Sequence, residues 1–289
     1  MIWGGIVVLV TARNRPSQSP TVASRLIRRL CGRQRRCYPP YLQASTIRKH
    51  MPAPPSSFLQ SVQTQVAETG FAILRSVFPR PDMSAIQDAA RAFYAVAERA
   101  DHPPFPRAYL YNPGNTATGM AALDDFGTEN YQLLRVIANS PAAECLRHYL
   151  GDDVLCSLTH SRLRKCHPQG DLSRPRPSTV AWHADGGPNV NYYSAYILWV
   201  PFTPCDDDYT GLELQSLDGT RSRPELDIGD ALLFSDKLLH RTADCPTATR
   251  ARFSCDMRFF RAADIPTGVH QKIAQEPLLS VRAFALPPW

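Results

Sequence analysis

Apolar residues recur every three or four positions in four segments of the N-terminal half of the chain. This spacing predicts amphipathic helices, and Ser56 or Ser57 offers an N-cap to the first of them. A compact apolar run bounded by Gly70 and Pro79 separates the first two helices and favours a strand. The predicted helices cover residues 56–68, 81–100, 128–139 and 141–150.

The period changes after Asp153 to short apolar or alternating runs divided by turn residues. These runs predict strands at 154–166, 192–202, 211–217, 231–234 and 252–261. The proline-rich segment 101–126 predicts an ordered loop or lid. Helices first and strands second, without alternation of the two, indicate an α+β protein with a mainly β core that forms a barrel or a sandwich.

The positive charge of the chain lies at its beginning. Of 32 basic residues, ten fall within residues 1–50, which contain no acid, so the other 239 residues carry 22 bases against 26 acids. Residues 1–52 therefore predict a disordered basic leader, with a transit segment or a true start at Met51 as alternatives. Residues 53–289 predict one domain. Its acidic balance, without a basic stripe, argues against nucleic-acid binding.

The apolar run of the first ten residues is too short to cross a bilayer, so no membrane span is predicted. The eight cysteines contain no Cys-x-x-Cys pair and no framework spacing, which favours a reducing compartment. We expect a cytoplasmic protein, or an organellar one if the leader is a transit peptide. Cys156 and Cys255 lie in apolar strand-like runs, where cysteine acts as a small buried hydrophobe.

His183 and Asp185 form the only His-x-Asp motif of the chain. Residues i and i+2 of an extended segment point the same way, so both side chains can face one metal ion. Gly186 and its neighbours allow the sharp turn that such a position needs. His240 follows the predicted strand 231–234 and is the candidate third ligand. Two imidazoles and one carboxylate leave three open positions, as in non-haem iron(II) oxygenases.

An oxygenase of this kind also needs a cation for the distal carboxylate of 2-oxoglutarate, and the planar fork of arginine suits that role. In the predicted strand 252–261, Arg252 and Ser254 share one face with the other polar residues, while apolar residues share the opposite face. A barrel strand with this pattern directs Arg252 and Ser254 inward. Arg250, two residues earlier on the same face, is the rival.

Seven short segments carry a resemblance to a known family, and they lie at residues 70–74, 149–154, 182–185, 199–202, 229–230, 240–242 and 252–254. In kind and in order they resemble the phytanoyl-CoA dioxygenase family of iron(II)- and 2-oxoglutarate-dependent oxygenases. The resemblance implies a double-stranded β-helix (jelly roll) buttressed by N-terminal helices. It also implies iron(II) at His183, Asp185 and His240, with 2-oxoglutarate and dioxygen as co-substrates and the 2-oxoglutarate carboxylate at Arg252 and Ser254.

The activity implied is oxidation of an unactivated C–H bond of a small organic molecule, by hydroxylation, desaturation or ring closure, with release of succinate and carbon dioxide. Residues 210–218 depart from the family's pattern, so no substrate contact is inferred from them. Because residue 185 is an aspartate, a halide has no vacant ligand position, and the halogenase variant of the chemistry is disfavoured.

Four residues are candidates for the substrate pocket. Arg162 and Arg164 alternate on one strand face and could bind a carboxylate or phosphate, although a solvated strand face explains them as well. Trp199 either lines the pocket or packs in the core, and Tyr109 lies in the predicted lid. The sequence identifies neither the substrate nor an oligomeric state.

Two other classes of function compete with the oxygenase. A jelly-roll binding module could keep the metal ligands for stability without catalysis. A metal-dependent isomerase or hydrolase on a similar barrel would need neither 2-oxoglutarate nor dioxygen, and it leaves Arg252 without a purpose.

Overall fold

Four α-helices occur where the apolar spacing predicts them. In the fourth, Pro141 takes the first turn and Gly151, with a φ of 78°, ends the helix. The structure is a computed structural model that describes residues 56–97, 118–126, 129–168, 182–186, 195–264 and 278–281. The helices are α1 (Ser56–Thr69), α2 (Arg80–Ala97), α3 (Glu129–Ala138) and α4 (Pro141–Leu150). None of them has the length and apolar character that a membrane span requires.

Seven strands form a large antiparallel sheet in the order β1-β7-β4-β9-β3-β10, with β2 paired to the other part of β3. The long central strand β9 is hydrogen-bonded on both sides, to β3 and β4. The strands are β1 (Phe71–Leu74), β2 (Thr118–Ala122), β3 (Val154–Cys166), β4 (Ala195–Pro201), β7 (Ala231–Ser235), β9 (Arg252–Arg261) and β10 (Leu278–Ser280).

A smaller antiparallel sheet has the order β6-β5-β8, with β5 (Leu212–Gln215) between β6 (Arg221–Ser222) and β8 (His240–Thr242). The α+β class predicted from the sequence is therefore confirmed. One prediction was wrong: the segment 101–126 is not loop throughout, because β2 pairs with β3 and a 3-10 turn follows at Leu123–Phe126. Its prolines lie before this strand, and residues 101–117 are outside the described part of the chain, as is the predicted leader.

Two apolar clusters lie on opposite faces of the large sheet. The first packs the helices against one face and includes Phe253, Cys255, Met257 and Phe259 of β9. The second lies between the two sheets and joins Ile197, Trp199, Leu232 and Phe234 of the large sheet to Leu212 and Leu214 of β5. The polar residues of β9 alternate with its apolar ones, so they face this second cluster rather than solvent.

All six cysteines within the described residues are buried and free of disulfide bonds. Burial raises the pKa of the thiols of Cys145, Cys156 and Cys205 to about 12. A thiol with such a pKa carries almost no thiolate near neutral pH. The prediction that Cys156 and Cys255 act as small buried hydrophobes is confirmed, and both lie in the cluster beneath the helices.

Candidate functional site

The structure brings His183, Asp185 and His240 together, with one ligand atom from each within 4.8 Å of the others. The carboxylate lies between the two rings: Oδ1 is 3.9 Å from Nε2 of His183, and Oδ2 is 3.9 Å from Nε2 of His240. Among the described residues, this is the group of side chains with the composition and spacing to hold a metal ion. Its two nitrogen donors and one oxygen donor match the ligand preference of iron(II) in non-haem oxygenases.

Backbone pairing sets the distance between the two histidines. The N–H of His183 donates to the carbonyl of His240 at 3.1 Å, and the N–H of His240 donates to the carbonyl of His183 at 2.9 Å. Such a directly opposed pair presents its side chains on one face. The rings accordingly lie 4.4 Å apart between centroids. The His-x-Asp segment is thus joined to β8 by an isolated β-bridge at His183.

Trp182 anchors the segment from the other side. Its indole contacts two guanidinium groups of the small sheet, with Arg221 4.9 Å and Arg241 5.1 Å from the ring centroid. Arg241 is in turn paired with Glu213 of β5 at 2.6 Å. Cations over an indole face are attracted by the ring quadrupole. This arrangement ties the residue before His183 to all three strands of the small sheet.

His240 is oriented as a metal ligand. Its Nδ1 lies 3.0 Å from the carbonyl of Leu238, and since a carbonyl only accepts, Nδ1 carries the proton and donates. The lone pair of Nε2 is then free to face Asp185 and a metal. Burial lowers the pKa of His240 from its ordinary value, with Asp185 opposing the shift. The imidazole is therefore neutral at physiological pH, which is the form that binds metals.

Two ion pairs line the inner face of β9 next to the three residues. Arg258 reaches Asp185, with Nη2 2.7 Å from Oδ1, and both side chains are about nine-tenths buried. Arg164 of β3 donates through Nε to Asp256. Each buried carboxylate thus has a cationic partner, as burial of charge requires.

Arg252 lines a pocket together with these three residues and is buried, with 1% of its surface exposed. Its Nη1 donates to the carbonyls of Thr210 and Gly211, both at 3.2 Å, and its guanidinium lies 5.1 Å from the centroid of the Trp199 ring. Its Nε and the hydroxyl of Ser254 have no hydrogen-bond partner among the described residues. Buried donors without acceptors are costly, so this part of the pocket is built to receive an anion.

One pocket between the two sheets is lined by His183, Asp185 and His240 and also by Arg252. The residues fit iron(II) and 2-oxoglutarate on two counts. Three ligand atoms converge in the pocket, and the buried Nε of Arg252 has no hydrogen-bond partner among the described residues. The pocket is lined by Arg164, His183, Asp185, Ile197, Trp199, Leu212, Phe234, His240, Thr242, Arg252 and Asp256.

No family model matches the chain, and no curated protein matches it in sequence. Three solved structures share its fold. The non-haem α-ketoglutarate-dependent epimerase SnoN, in complex with Fe3+, α-ketoglutarate and nogalamycin RO, has a TM-score of 0.56 at 13% identity over 75% of this chain and 90% of its own. AviO1 from Streptomyces viridochromogenes Tue57 has a TM-score of 0.54 at 16% identity over 72% of this chain and 96% of its own.

EctD from S. alaskensis, with 2-oxoglutarate and 5-hydroxyectoine, has a TM-score of 0.53 at 14% identity over 74% of this chain and 78% of its own. The chain has the fold of these proteins. At such low identity the likeness extends to the fold alone. This likeness agrees with the α+β class expected from the sequence, and the double-stranded β-helix stays a prediction.

The remaining residues singled out in the sequence divide into three groups. Arg164 and Trp199 line the pocket, so the explanation of Arg164 as a solvated strand face was wrong. Arg162 is half-buried on β3 and donates to the carbonyl of Ser161, outside the pocket lining. Tyr109 lies outside the described residues. The rival Arg250 is exposed and donates to the hydroxyl of Tyr209.

Sequence reasoning missed Arg258 and Asp256. The signal was present, because both continue the alternation that begins with Arg252 and Ser254. Their partners lie 73 and 92 positions away in the chain, at Asp185 and Arg164. No local pattern connects residues so distant.

The close approach of Asp236 to the backbone at residue 186 explains why this residue is a glycine. Its φ is not among the positive values found for glycines of the described residues, and the predicted turn continues into residues 187 and 188, outside the described part of the chain. The N–H of Gly186 donates to the carbonyl of Asp236 at 2.7 Å, and a Cβ would lie 2.6 Å from the Asp236 carboxylate. A side chain at residue 186 must therefore displace either Asp236 or the segment that carries Asp185.

We expect Gly186→Ala to weaken Mn(II) binding about tenfold, the usual scale for a change next to a metal ligand. Titration calorimetry measures this effect. Gly219→Ala is the control, since Gly219 has a φ of 88° in a remote turn and its replacement strains the backbone without touching the site. Equal Mn(II) affinity for Gly186→Ala and the wild type would contradict the expected displacement.

Proposed function

We propose that the chain is an iron(II)- and 2-oxoglutarate-dependent oxygenase on a double-stranded β-helix, and that it oxidises an unactivated C–H bond of a small organic molecule. One observation carries the proposal: three convergent ligand side chains and a buried, incompletely paired arginine share a single pocket. The fold neighbours support it, since SnoN and EctD are solved with iron or 2-oxoglutarate.

In this proposal His183, Asp185 and His240 hold iron(II), and Arg252 with Ser254 holds the distal carboxylate of 2-oxoglutarate. When bound, iron and 2-oxoglutarate supply the oxidising chemistry, in which dioxygen and 2-oxoglutarate yield succinate, carbon dioxide and an oxidised substrate. The guanidinium of Arg252 suits this task because its hydrogen bonds to the carbonyls of Thr210 and Gly211 fix its plane before 2-oxoglutarate binds.

The apolar wall of the pocket has a role of its own. Trp199 and Ile197 are 1% exposed and Phe234 packs 5.2 Å from the His240 ring, so His240 stands against an apolar wall, whereas 36% of the His183 side chain is exposed. Exclusion of water strengthens the attraction between Arg252 and a carboxylate and protects reactive states from side reactions. These side chains orient the reactants and exclude solvent, while the cofactor supplies the reaction.

The reaction outcome is the open part of the proposal. Hydroxylation is the default, with desaturation or ring closure as variants of the same chemistry. The fold neighbours include an epimerase as well as a protein solved with a hydroxylated ectoine. We assign the activity to residues 53–289 and to a reducing compartment such as the cytoplasm, in keeping with six free cysteines among the described residues.

Binding spectroscopy tests the proposal without knowledge of the substrate. We expect a weak visible charge-transfer band when iron(II) and 2-oxoglutarate are added together to the full chain under anaerobic conditions, and slow succinate formation once air is admitted. EDTA added before iron should prevent both. A chain that binds iron but yields neither band nor succinate would be a binding module. Turnover of a substrate without 2-oxoglutarate would favour the isomerase or hydrolase.

A further inference from the structure

The ion pair between Arg258 and Asp185 is built into the site. Arg258 is 8% exposed and belongs to the inner face of the central strand β9. Its Nη2 stands 2.7 Å from Oδ1 of Asp185. A carboxylate buried between two imidazoles needs such a partner, because an isolated buried charge is expensive.

The neighbouring strands leave room for this guanidinium. Arg258 is opposite Ile197 on β4 and Ser157 on β3, and β3 is irregular between Ser157 and Arg162. Ser161, within that irregular stretch, accepts the backbone N–H of Arg258 through its hydroxyl at 3.0 Å. The small side chain of Ser157 and the irregularity of β3 allow the long side chain of Arg258 to run along the sheet toward Asp185.

The pair divides the two carboxylate oxygens of Asp185 between two tasks. Oδ1 is held by Nη2 of Arg258 at 2.7 Å, while Oδ2 lies 3.9 Å from Nε2 of His240. If both oxygens bound the metal, they would occupy two positions and leave only two of six for 2-oxoglutarate and dioxygen, which need three. An oxygen engaged by an arginine is withheld from the metal.

We propose that Arg258 is a positioning residue that keeps Asp185 a one-oxygen ligand, so that three metal positions stay open for 2-oxoglutarate and dioxygen. This inference rests on the proposed function. Arginine suits the task better than lysine, because its planar fork fixes the direction of the hydrogen bond as well as supplying charge.

The inference separates metal binding from co-substrate binding. A guanidinium beside the metal repels it, so its removal does not weaken metal affinity through charge. Its removal does free Oδ1 to take a second position. Arg258→Met should therefore bind Mn(II) within about threefold of the wild type but bind 2-oxoglutarate about tenfold more weakly or worse, the scale of outer-shell effects at metal sites.

Titration calorimetry on the full chain measures both steps, first with Mn(II) alone and then with 2-oxoglutarate added to the Mn(II)-loaded protein. Arg258→Lys should recover part of the 2-oxoglutarate affinity, and it replaces Arg258→Met if the latter does not fold. Arg261→Met is the matched control from the same strand, since Arg261 donates to the carbonyls of Tyr149 and Leu150, away from the pocket. It should leave both affinities unchanged.

Three outcomes of the calorimetry test the positioning role of Arg258. Weak 2-oxoglutarate binding with intact Mn(II) binding supports the inference. Unchanged 2-oxoglutarate affinity, or a parallel loss of Mn(II) affinity of more than about tenfold, overturns it. If the wild type itself binds no Mn(II), the proposed function fails instead, so the two failures are distinguishable.

Discussion

Replacing His240 by alanine should lower turnover by about a thousandfold, because one of the three proposed metal ligands is lost and each such ligand contributes several kcal/mol to holding and activating a metal. His240 is oriented for this role, with Nδ1 held by the Leu238 carbonyl and a pKa lowered by burial. Succinate release measured at saturating iron(II) and 2-oxoglutarate reports the loss, and Mn(II) calorimetry should report greatly weakened binding.

His148→Ala is the matched control. His148 lies on the surface and contacts Gln63 of α1, so its loss removes a histidine without touching the pocket. We expect wild-type turnover from this variant. Circular dichroism should give native spectra for both variants, and a His240→Ala protein that is folded and fully active would rule out the assigned ligand set.

Replacing Arg252 by methionine should raise the dissociation constant of 2-oxoglutarate roughly 100-fold, while Mn(II) affinity stays near that of the wild type. The estimate follows from the loss of about 3 kcal/mol when a buried ionic hydrogen-bonded pair loses one partner. The dissociation constant of Arg252→Lys should lie between those of the wild type and Arg252→Met, because lysine keeps the positive charge and lacks the planar guanidinium. Titration of the Mn(II)-loaded protein with 2-oxoglutarate measures these effects.

Arg250→Met discriminates between the two arginines that the sequence leaves open. Arg250 is exposed and bonds Tyr209, whereas Arg252 is 1% exposed inside the pocket. The Arg250 variant should bind 2-oxoglutarate within about twofold of the wild type, as is usual for surface substitutions. A large loss from Arg250→Met and none from Arg252→Met would reverse the assignment.

The alternation along β9 explains why so much of this site could be predicted from the sequence. A period of two in residues 252–259 is a local signal, and burial of the apolar set beneath the helices leaves the polar set no other face. The same holds for α1 to α4, whose apolar spacing is regular. His183 and Asp185 were found because both stand in one short extended segment.

Features that depend on pairing between distant segments could not be predicted. Strands β6 and β8 have two and three residues, too few to carry a period. Strand β2 is a small-residue segment after several prolines, and only its pairing with β3 makes it a strand. The Arg258 to Asp185 bond requires the strand register, and the Trp182 contacts with Arg221 and Arg241 require the small sheet. Local propensity contains none of this information.

The most direct test is a crystal structure of the chain grown without oxygen in the presence of iron(II) and 2-oxoglutarate, with anomalous data collected at the iron edge. The account predicts one anomalous peak about 2 Å from Nε2 of both histidines and from one oxygen of Asp185, with the distal carboxylate of 2-oxoglutarate on Arg252. An iron peak elsewhere, or a carboxylate far from Arg252, would contradict it.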